Sequence, residues 1–89
     1  MSKVRFELGR CMATVRSLQT LQPDRAASLF LRHQHGDWGN VSAEDAKAND
    51  DALVHGDRIV SAYVVGDLKY YVITEWDRSL TTLMCAEEY

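Results

Sequence analysis

Alternating apolar and polar residues predict a β-strand at the start of the chain. Between Lys3 and Leu8 the apolar side chains of Val4, Phe6 and Leu8 alternate with charged ones. A period of two is typical of a strand with one buried face, and Gly9 is expected to end that strand.

Two helices are predicted next. Thr14 is a suitable N-cap for a short helix that Pro23 closes, and the apolar residues of that helix are Val15, Leu18 and Leu21. Pro23 then opens a second helix, because proline is favoured in the first helical turn. This helix is expected to run to about residue 32, with its apolar face at residues 26, 29, 30 and 33.

A third helix is predicted after Ser42, which precedes two acidic residues in the first turn. The helix should run to His55 and stop at Gly56, a residue suited to the left-handed C-terminal cap. Its inward face includes Asn49. A buried asparagine needs hydrogen-bond partners, and we expect that partner to be the turn at residues 36–39.

From Arg58 onward the hydrophobic period changes to two. The predicted strands are Arg58 to Val65, Lys69 to Glu75 and Ser79 to Met84, separated by Gly66-Asp67 and Trp76-Asp77. Glycine at the first central position of a two-residue loop favours a type II′ hairpin turn. The sequence therefore predicts an α+β fold: a three-stranded antiparallel meander, or four strands if the N-terminal strand joins an edge, packed against two or three helices in a single domain of residues 1–89.

The densest local signal is the sequence His-Gln-His-Gly-Asp-Trp-Gly at residues 33–39. Gly36 and Gly39 permit sharp turns on either side of Asp37 and Trp38. This corner is interpreted first as a structural hinge between two halves of the chain. The alternative is a recognition or catalytic loop.

Composition limits the class of protein. The chain has 89 residues, of which 46% are hydrophobic, so one folded domain is expected rather than a disordered chain. No apolar run approaches the length of a membrane span, and the first ten residues lack the apolar centre of a signal peptide, so a bacterial cytoplasmic protein without membrane contact is expected. Cys11 and Cys85 fit no metal-binding spacing and are interpreted as unpaired residues.

Charge is distributed unevenly along the chain. Residues 1–35 carry six basic and two acidic groups, whereas residues 36–89 carry eleven acidic and four basic groups. This split argues against phosphate-driven nucleic-acid binding by the whole domain, so direct binding of nucleic acid is not expected. It leaves open an acidic docking face or a basic patch that would serve a DNA-binding accessory protein. That patch would comprise Arg5, Arg10, Arg16, Arg25 and Arg32.

Catalytic chemistry has only weak support. His33, His35 and Asp37, with the acids at 44 and 45, contain the ligand types that zinc, manganese or iron bind. A nuclease-like site could be built from His33 with Glu75 and Asp77. No nucleophile has an evident base, and structural roles such as salt-bridged turns explain these residues better. No catalytic residue, metal or cofactor is therefore predicted, and an enzyme is the less favoured interpretation.

Short motifs occur along nearly the whole chain: Phe6, Leu8-Gly9, Ala13-Thr14, Arg32-His33, Gly36-Asp37-Trp38-Gly39, Glu44-Asp45, Asn49-Asp50, Ala52-Leu53, Gly56, Arg58-Ile59, Ser61-Ala62-Tyr63, Ile73-Thr74-Glu75, Asp77-Arg78-Ser79, Thr81-Thr82 and Glu88-Tyr89. Together they resemble a family of small proteins encoded largely on bacterial plasmids, phages and other mobile elements. Two positions depart from the family pattern: Asn40, where an acid is common, and Trp76, where a small residue is common. A restriction-modification label sometimes given to this family cannot describe an activity, because 89 residues cannot hold a methyltransferase and its cofactor fold.

Genes of this family lie among genes for mobile-element and host-defence functions. The resemblance therefore implies that this chain acts in the same setting. The resulting hypothesis is a non-enzymatic interaction protein, an inhibitor of a CRISPR effector or restriction subunit that acts through an acidic surface. The residues expected to contact the partner are Asp37, Trp38, Glu44, Asp45, Asp50, Asp51, Glu75, Trp76, Asp77 and Arg78. The alternatives are a small metal-dependent hydrolase or nuclease and the basic-patch accessory protein. An open sheet edge would also allow a homodimer.

Overall fold

The computed structural model describes residues 3–89 and has the predicted α+β class. Its elements are β1 (Arg10–Ala13), α1 (Val15–Thr20), α2 (Pro23–Gln34), α3 (Ala43–His55), β2 (Ile59–Val65), β3 (Leu68–Thr74) and β4 (Leu80–Cys85), followed by a 3-10 turn at Ala86–Glu88. The four strands form one sheet in the order β1-β4-β3-β2.

The predicted meander is confirmed. Strands β2, β3 and β4 are antiparallel neighbours, and each begins and ends within one residue of its predicted bounds. In the first hairpin Gly66 has φ 63° whereas Asp67 does not have a positive φ, as a type II′ turn requires. The Gly66-Asp67 loop and the loop of residues 75–79 thus set the register of the sheet, because each is short enough to fix which residues face each other.

The N-terminal strand was predicted at the wrong place. Residues 3–8 form no strand, and the fourth strand is β1, which runs parallel to β4. The early segment is held by Gln34 at the end of α2: the Arg5 N–H donates to the Gln34 carbonyl at 2.9 Å, and the Gln34 amide donates to the Phe6 carbonyl at 3.1 Å. The apolar side chain of Phe6 therefore fills the core from an irregular segment, and Gly9, with φ 67°, leads into β1 instead of ending a strand.

The helices begin where their capping residues predict. The side chains of Thr14 and Ser42 accept bonds from the third residues of α1 and α3, and Gly56 forms the left-handed cap of α3. The predicted apolar face of α1 is wrong, however, because Val15 and Leu18 are exposed and Ser17 is the buried residue. Because α1 has only six residues, it buries little apolar surface itself. The apolar side chain that is buried is that of Leu21, just after the helix.

The core lies between α2 and one face of the sheet, which we call the inner face. Leu21, Ala26 and Leu29 contact a buried cluster from the central strands that includes Tyr70 and Val72. A second cluster, centred on Trp38, Ala52 and Ile59, joins α3 to the edge of β2. The opposite side of the sheet, called the outer face, consists of Arg10, Met12, Val60, Ala62, Val64, Lys69, Tyr71, Ile73, Leu80, Thr82 and Met84.

The outward edge of β2 is closed by side-chain and loop contacts. Asn49 of α3 bonds both backbone groups of Val60, donating to its carbonyl at 2.8 Å and accepting from its N–H at 3.0 Å. Asn49 is buried as expected, but its predicted partner, the turn at 36–39, is wrong. That turn instead continues the closure at Ala62, whose N–H donates to the Trp38 carbonyl.

Replacing Asn49 with aspartate should destabilise the protein by about 2 kcal/mol, because the Val60 carbonyl loses its donor and faces an oxygen instead. Urea unfolding followed by circular dichroism measures this difference. The control is Asn40→Asp, at an exposed asparagine, which should change stability by less than about 0.5 kcal/mol. Equal losses in the two variants would contradict closure of the edge by Asn49.

Candidate functional site

The corner at residues 36–39 is attached to the sheet. Gly39 has φ 76° and forms a parallel bridge with Ala62, and the next residue, Asn40, donates its N–H to the Ala62 carbonyl at 2.6 Å. A Cβ at Gly39 would collide with the Ala62 carbonyl oxygen and lie 2.5 Å from the Tyr63 ring. These backbone contacts attach the corner to β2, which agrees with the interpretation of the corner as a structural hinge.

Asp37 is held by contacts within the corner. Its carboxylate accepts from the Arg32 guanidinium at 2.7 Å and from the Gly39 N–H at 3.1 Å. These interactions, led by the bond from Arg32, hold the pKa of Asp37 below its ordinary value. The Arg32 guanidinium also lies over the Tyr63 ring, 4.6 Å from its centroid, and the Tyr63 hydroxyl donates to the Asp37 carbonyl.

Trp38 points into the protein. It is only 7% exposed, and its indole N–H donates to the Asp50 carboxylate of α3 at 3.1 Å. The ring also packs beside Phe6 and His33, with centroid distances of 6.2 and 6.0 Å. Trp38 thus joins the corner to α3 and offers little surface to a partner.

His33 lies at the centre of a buried hydroxyl network. Its Nδ1 is 2.6 Å from the Ser61 hydroxyl and its Nε2 is 2.9 Å from the Thr74 hydroxyl, which in turn is 2.6 Å from the Thr81 hydroxyl. The Thr81 hydroxyl donates to the Leu8 carbonyl at 2.6 Å. All four side chains of the network are completely buried.

The Leu8 carbonyl fixes the direction of every bond in this network. A carbonyl only accepts, so Thr81 must donate to it and must accept from Thr74. Thr74 then accepts from the Nε2–H of His33, and Ser61 donates to the Nδ1. The ring is therefore the neutral Nε2–H tautomer, and burial, with a smaller effect of the nearby Arg78 guanidinium, lowers the pKa of His33 to about 3.

Arg78 joins the loop between β3 and β4 to the end of α3. Its guanidinium donates to the carbonyls of Ala52 at 2.9 Å and Asp57 at 2.6 Å, and to those of Glu75 and Trp76 in its own loop. Arg78 also has φ 61°, an uncommon conformation for a residue other than glycine. Its side chain is thus committed to the interior of the protein.

The two acids of the same loop have separate partners. Asp77 accepts from both the N–H and the hydroxyl of Ser79, at 3.1 and 2.6 Å, and these bonds lower its pKa. Glu75 pairs with Arg58 at 3.4 Å. His33, Asp37, Glu75 and Asp77 therefore lie in four different local bonding environments, and residues 3–89 contain no group of three or more His, Cys, Asp or Glu side chains placed to hold a metal ion.

Helix α3 presents an acidic surface, which we define as Glu44, Asp45, Asp50 and Asp51. All four residues are exposed. With Lys47 they give α3 a net charge of −3, equal to that of the whole chain. Within residues 3–89, Asp51 pairs with Lys47 at 3.2 Å and the other three acids form no ion pair.

Trp76 is the most exposed aromatic side chain of the predicted contact residues, at 67%. Its carbonyl accepts from the same Arg78 Nη1 as the carbonyl of Asp57, which follows α3. Trp76 therefore lies close to the C-terminal end of α3, where Val54 is also exposed. The acidic surface thus has apolar side chains at one end.

Sequence reasoning missed the hydroxyl partners of His33. Ser61, Thr74 and Thr81 lie on the inner face of three neighbouring strands, and Thr74 pairs with Thr81 across β3 and β4. Polar residues at inward positions, together with a histidine on the apolar face of α2, were the available signal.

In comparisons with family models, curated proteins and solved structures, nothing matches this chain. No helix in residues 3–89 has the length and apolar character needed to cross a membrane.

Proposed function

We propose that this chain is a non-enzymatic interaction protein that binds a positively charged partner through the acidic surface of α3. The observation that carries the proposal is the concentration of charge: one helix of 13 residues has the same net charge as all 89 residues together. Opposite charges on a partner would be attracted to this helix in preference to the rest of the molecule.

The acids of this surface are available for binding. Glu44 and Asp45 form no ion pair within residues 3–89, and the exposed pair of Lys47 and Asp51 contributes at most about 1 kcal/mol. A partner lysine or arginine could therefore replace Lys47 with little loss. Asp50 keeps one oxygen bound to the Trp38 indole and its other oxygen is left for an incoming donor.

The surface is also rigidly supported. The N-terminus of α3 is capped by Ser42, Asn49 anchors its middle to β2, and Arg78 bonds a carbonyl in its last turn. Binding to a preorganised helix requires little ordering of the backbone, which favours affinity. Trp76 would supply an apolar contact at the end of the charged surface, as aromatic residues do in many interfaces.

The partner class follows from the resemblance to mobile-element proteins. We propose a nucleic-acid-binding subunit of a host defence complex, a CRISPR effector or restriction subunit, in the cytoplasm of the bacterial host. Such a subunit has a basic groove, and an acidic helix could occupy the positions that phosphates normally take. Asp37, Trp38, Asp77 and Arg78 are left out of this contact set because each is committed to bonds within the chain.

Reversing three acids should remove partner binding. In the variant Glu44→Lys, Asp45→Lys, Asp51→Lys we expect recovery of the partner to fall by at least about tenfold, because like charges then face the basic groove. Asp50 is retained since it binds Trp38. The measurement is co-purification of the tagged protein from bacteria with active CRISPR and restriction systems, with bound proteins identified by mass spectrometry.

The matched control reverses three exposed acids elsewhere, Glu7→Lys, Asp24→Lys and Asp67→Lys. It makes the same change in net charge and, like the test variant, alters a first helical turn, at Asp24. We expect the control to keep the partner. Equal loss in both variants, or no loss in the first, would reject the acidic surface as the binding site.

A further inference from the structure

A groove of about 470 Å³ lies on the outer face of the sheet, on the side away from α2. Val60 and Ala62 of β2 contribute apolar surface, the loop before α3 contributes Asn40, and Tyr71 and Tyr89 contribute aromatic rings. This volume lies within the range of small-molecule binding sites in proteins.

Positive charge dominates this face although the whole chain is acidic. The four strands contain no acidic residue, and their two charged residues, Arg10 and Lys69, both lie on the outer face. Arg58, just before β2, adds a second cation to the groove; its pair with Glu75 is long, at 3.4 Å, and partly exposed, so an incoming phosphate can compete for it. Within residues 3–89, Lys69 has no ion pair, so its charge is available to an anionic ligand.

The two tyrosines form an open aromatic surface between these cations. Their ring centroids are 5.3 Å apart at an interplanar angle of 61°, and Tyr89 is 68% exposed. The Lys69 ammonium lies 5.4 Å from the Tyr71 ring centroid, and Arg58 is 3.5 Å from the Tyr89 hydroxyl. A planar ring that stacks on Tyr89 would therefore have a cation close to its anionic substituents.

Polar groups in the groove match the edge of a nucleobase. Asn40 has an exposed amide, and Asp45 contributes a carboxylate that has no ion pair within residues 3–89. An amide can donate to and accept from base edges, and a carboxylate can accept from them, as both do in nucleic-acid complexes. A simple anion would use the cations of the groove but would not need its aromatic rings.

We propose that this groove binds a nucleotide unit, with the base stacked on Tyr89 and the phosphate near Lys69 and Arg58. The unit could belong to a free nucleotide or to a single strand, since both present a base beside a phosphate. The inference goes beyond the proposed function, because its determinants Lys69 and Tyr89 lie outside the acidic surface, which shares only Asp45 with the groove.

Two probes distinguish a free nucleotide from a single strand as the ligand of the groove. Fluorescence anisotropy measures binding of labelled single-stranded oligonucleotides of about 12 nucleotides, and NMR chemical-shift changes measure binding of AMP and UMP. If both cations contact phosphates, oligonucleotide affinity should fall roughly sevenfold between about 50 and about 200 mM salt. Binding of either probe at the groove supports the proposal, and mononucleotide binding alone identifies a free nucleotide as the ligand.

Substitutions in the groove test whether the probe binds there. Lys69→Glu should weaken the probe that binds by at least about tenfold, and Tyr89→Ala by at least about fivefold, whereas Tyr89→Phe keeps the ring and should retain binding. The charge-matched control Arg25→Glu, on an exposed position of α2, should stay within about twofold. Binding of neither probe, or equal effects of Lys69→Glu and Arg25→Glu, would overturn the proposal. Because the acids of α3 are unchanged in these variants, a negative result here leaves the partner-binding test unaffected.

Discussion

The variant Gly39→Ala should lose about 4 kcal/mol of stability. An L-residue at φ 76° costs about 1 to 2 kcal/mol, and the added methyl group would meet the Ala62 carbonyl oxygen and the Tyr63 ring. Relief of this overlap requires the corner to separate from β2, which would break the bonds that both neighbours of Gly39 make to Ala62. Urea unfolding monitored by circular dichroism and tryptophan fluorescence measures the loss.

Gly56 provides a matched control. It has the same φ of 76°, but no atom lies within 4 Å of the position that a Cβ would take. The variant Gly56→Ala should therefore show only the conformational cost of about 1 to 2 kcal/mol. A similar loss in both variants would mean that close contact between the corner and β2 does not determine stability.

Local signals explain why most of the fold could be predicted from sequence. Thr14, Ser42 and Gly56 each act within one helical turn, so capping rules place them without knowledge of the rest of the chain. The short loops of the meander likewise connect strands that are adjacent in sequence, which leaves few possible pairings.

The prediction failed where contacts between residues far apart in the sequence determine the structure. The alternation at residues 3–8 is typical of a strand, but the end of α2 binds this segment instead, through Gln34. The parallel pairing of β1 with β4 joins residues about seventy positions apart in the chain, and no local pattern specifies it. Asn49 was correctly placed inward, yet its partner depended on which strand would lie beside α3.

The candidate sites differ in the same way. The acidic surface of α3 could be predicted because a helical period alone determines which side chains face outward. The outer-face groove could not, since it joins Arg58, Lys69 and Tyr89 from separate parts of the chain. Trp38 illustrates the converse error: it was expected to contact the partner, whereas its side chain is buried and its indole N–H donates to a carboxylate twelve positions away in the chain.

Stability should fall as the pH decreases, because of His33. The unfolded chain binds a proton near the ordinary pKa of 6.5, whereas the folded protein resists it until the pKa of about 3. Below about pH 6.5 the unfolded state therefore binds more protons than the folded state. The contribution of His33 to the free energy of unfolding is fully present above that pH and is lost progressively toward pH 3. From about pH 7.5 to about pH 4.5 the expected loss is about 2.5 kcal/mol.

This window separates His33 from the carboxylates. The pKa values of Asp37, Asp77 and Glu88 are lowered in the folded protein from ordinary values of 3.8, 3.8 and 4.5. Their contributions are present above those ordinary values and are lost as the pH falls through the folded values, mainly below the window. A decline that begins near pH 6.5 therefore belongs to a histidine, and His33 is the completely buried one.

The measurement is urea unfolding at a series of pH values, in the wild type and in His33→Gln, whose amide does not titrate. We expect the variant to be less stable at neutral pH but to lose the slope between about pH 7.5 and about pH 4.5. If the variant does not fold, nitrogen-15 NMR of the wild type gives the same answer, because the ring should remain the neutral Nε2–H tautomer while the protein stays folded. Protonation of His33 near its ordinary pKa in the folded state, or an unchanged slope in the variant, would show that the hydroxyl network does not hold the imidazole neutral.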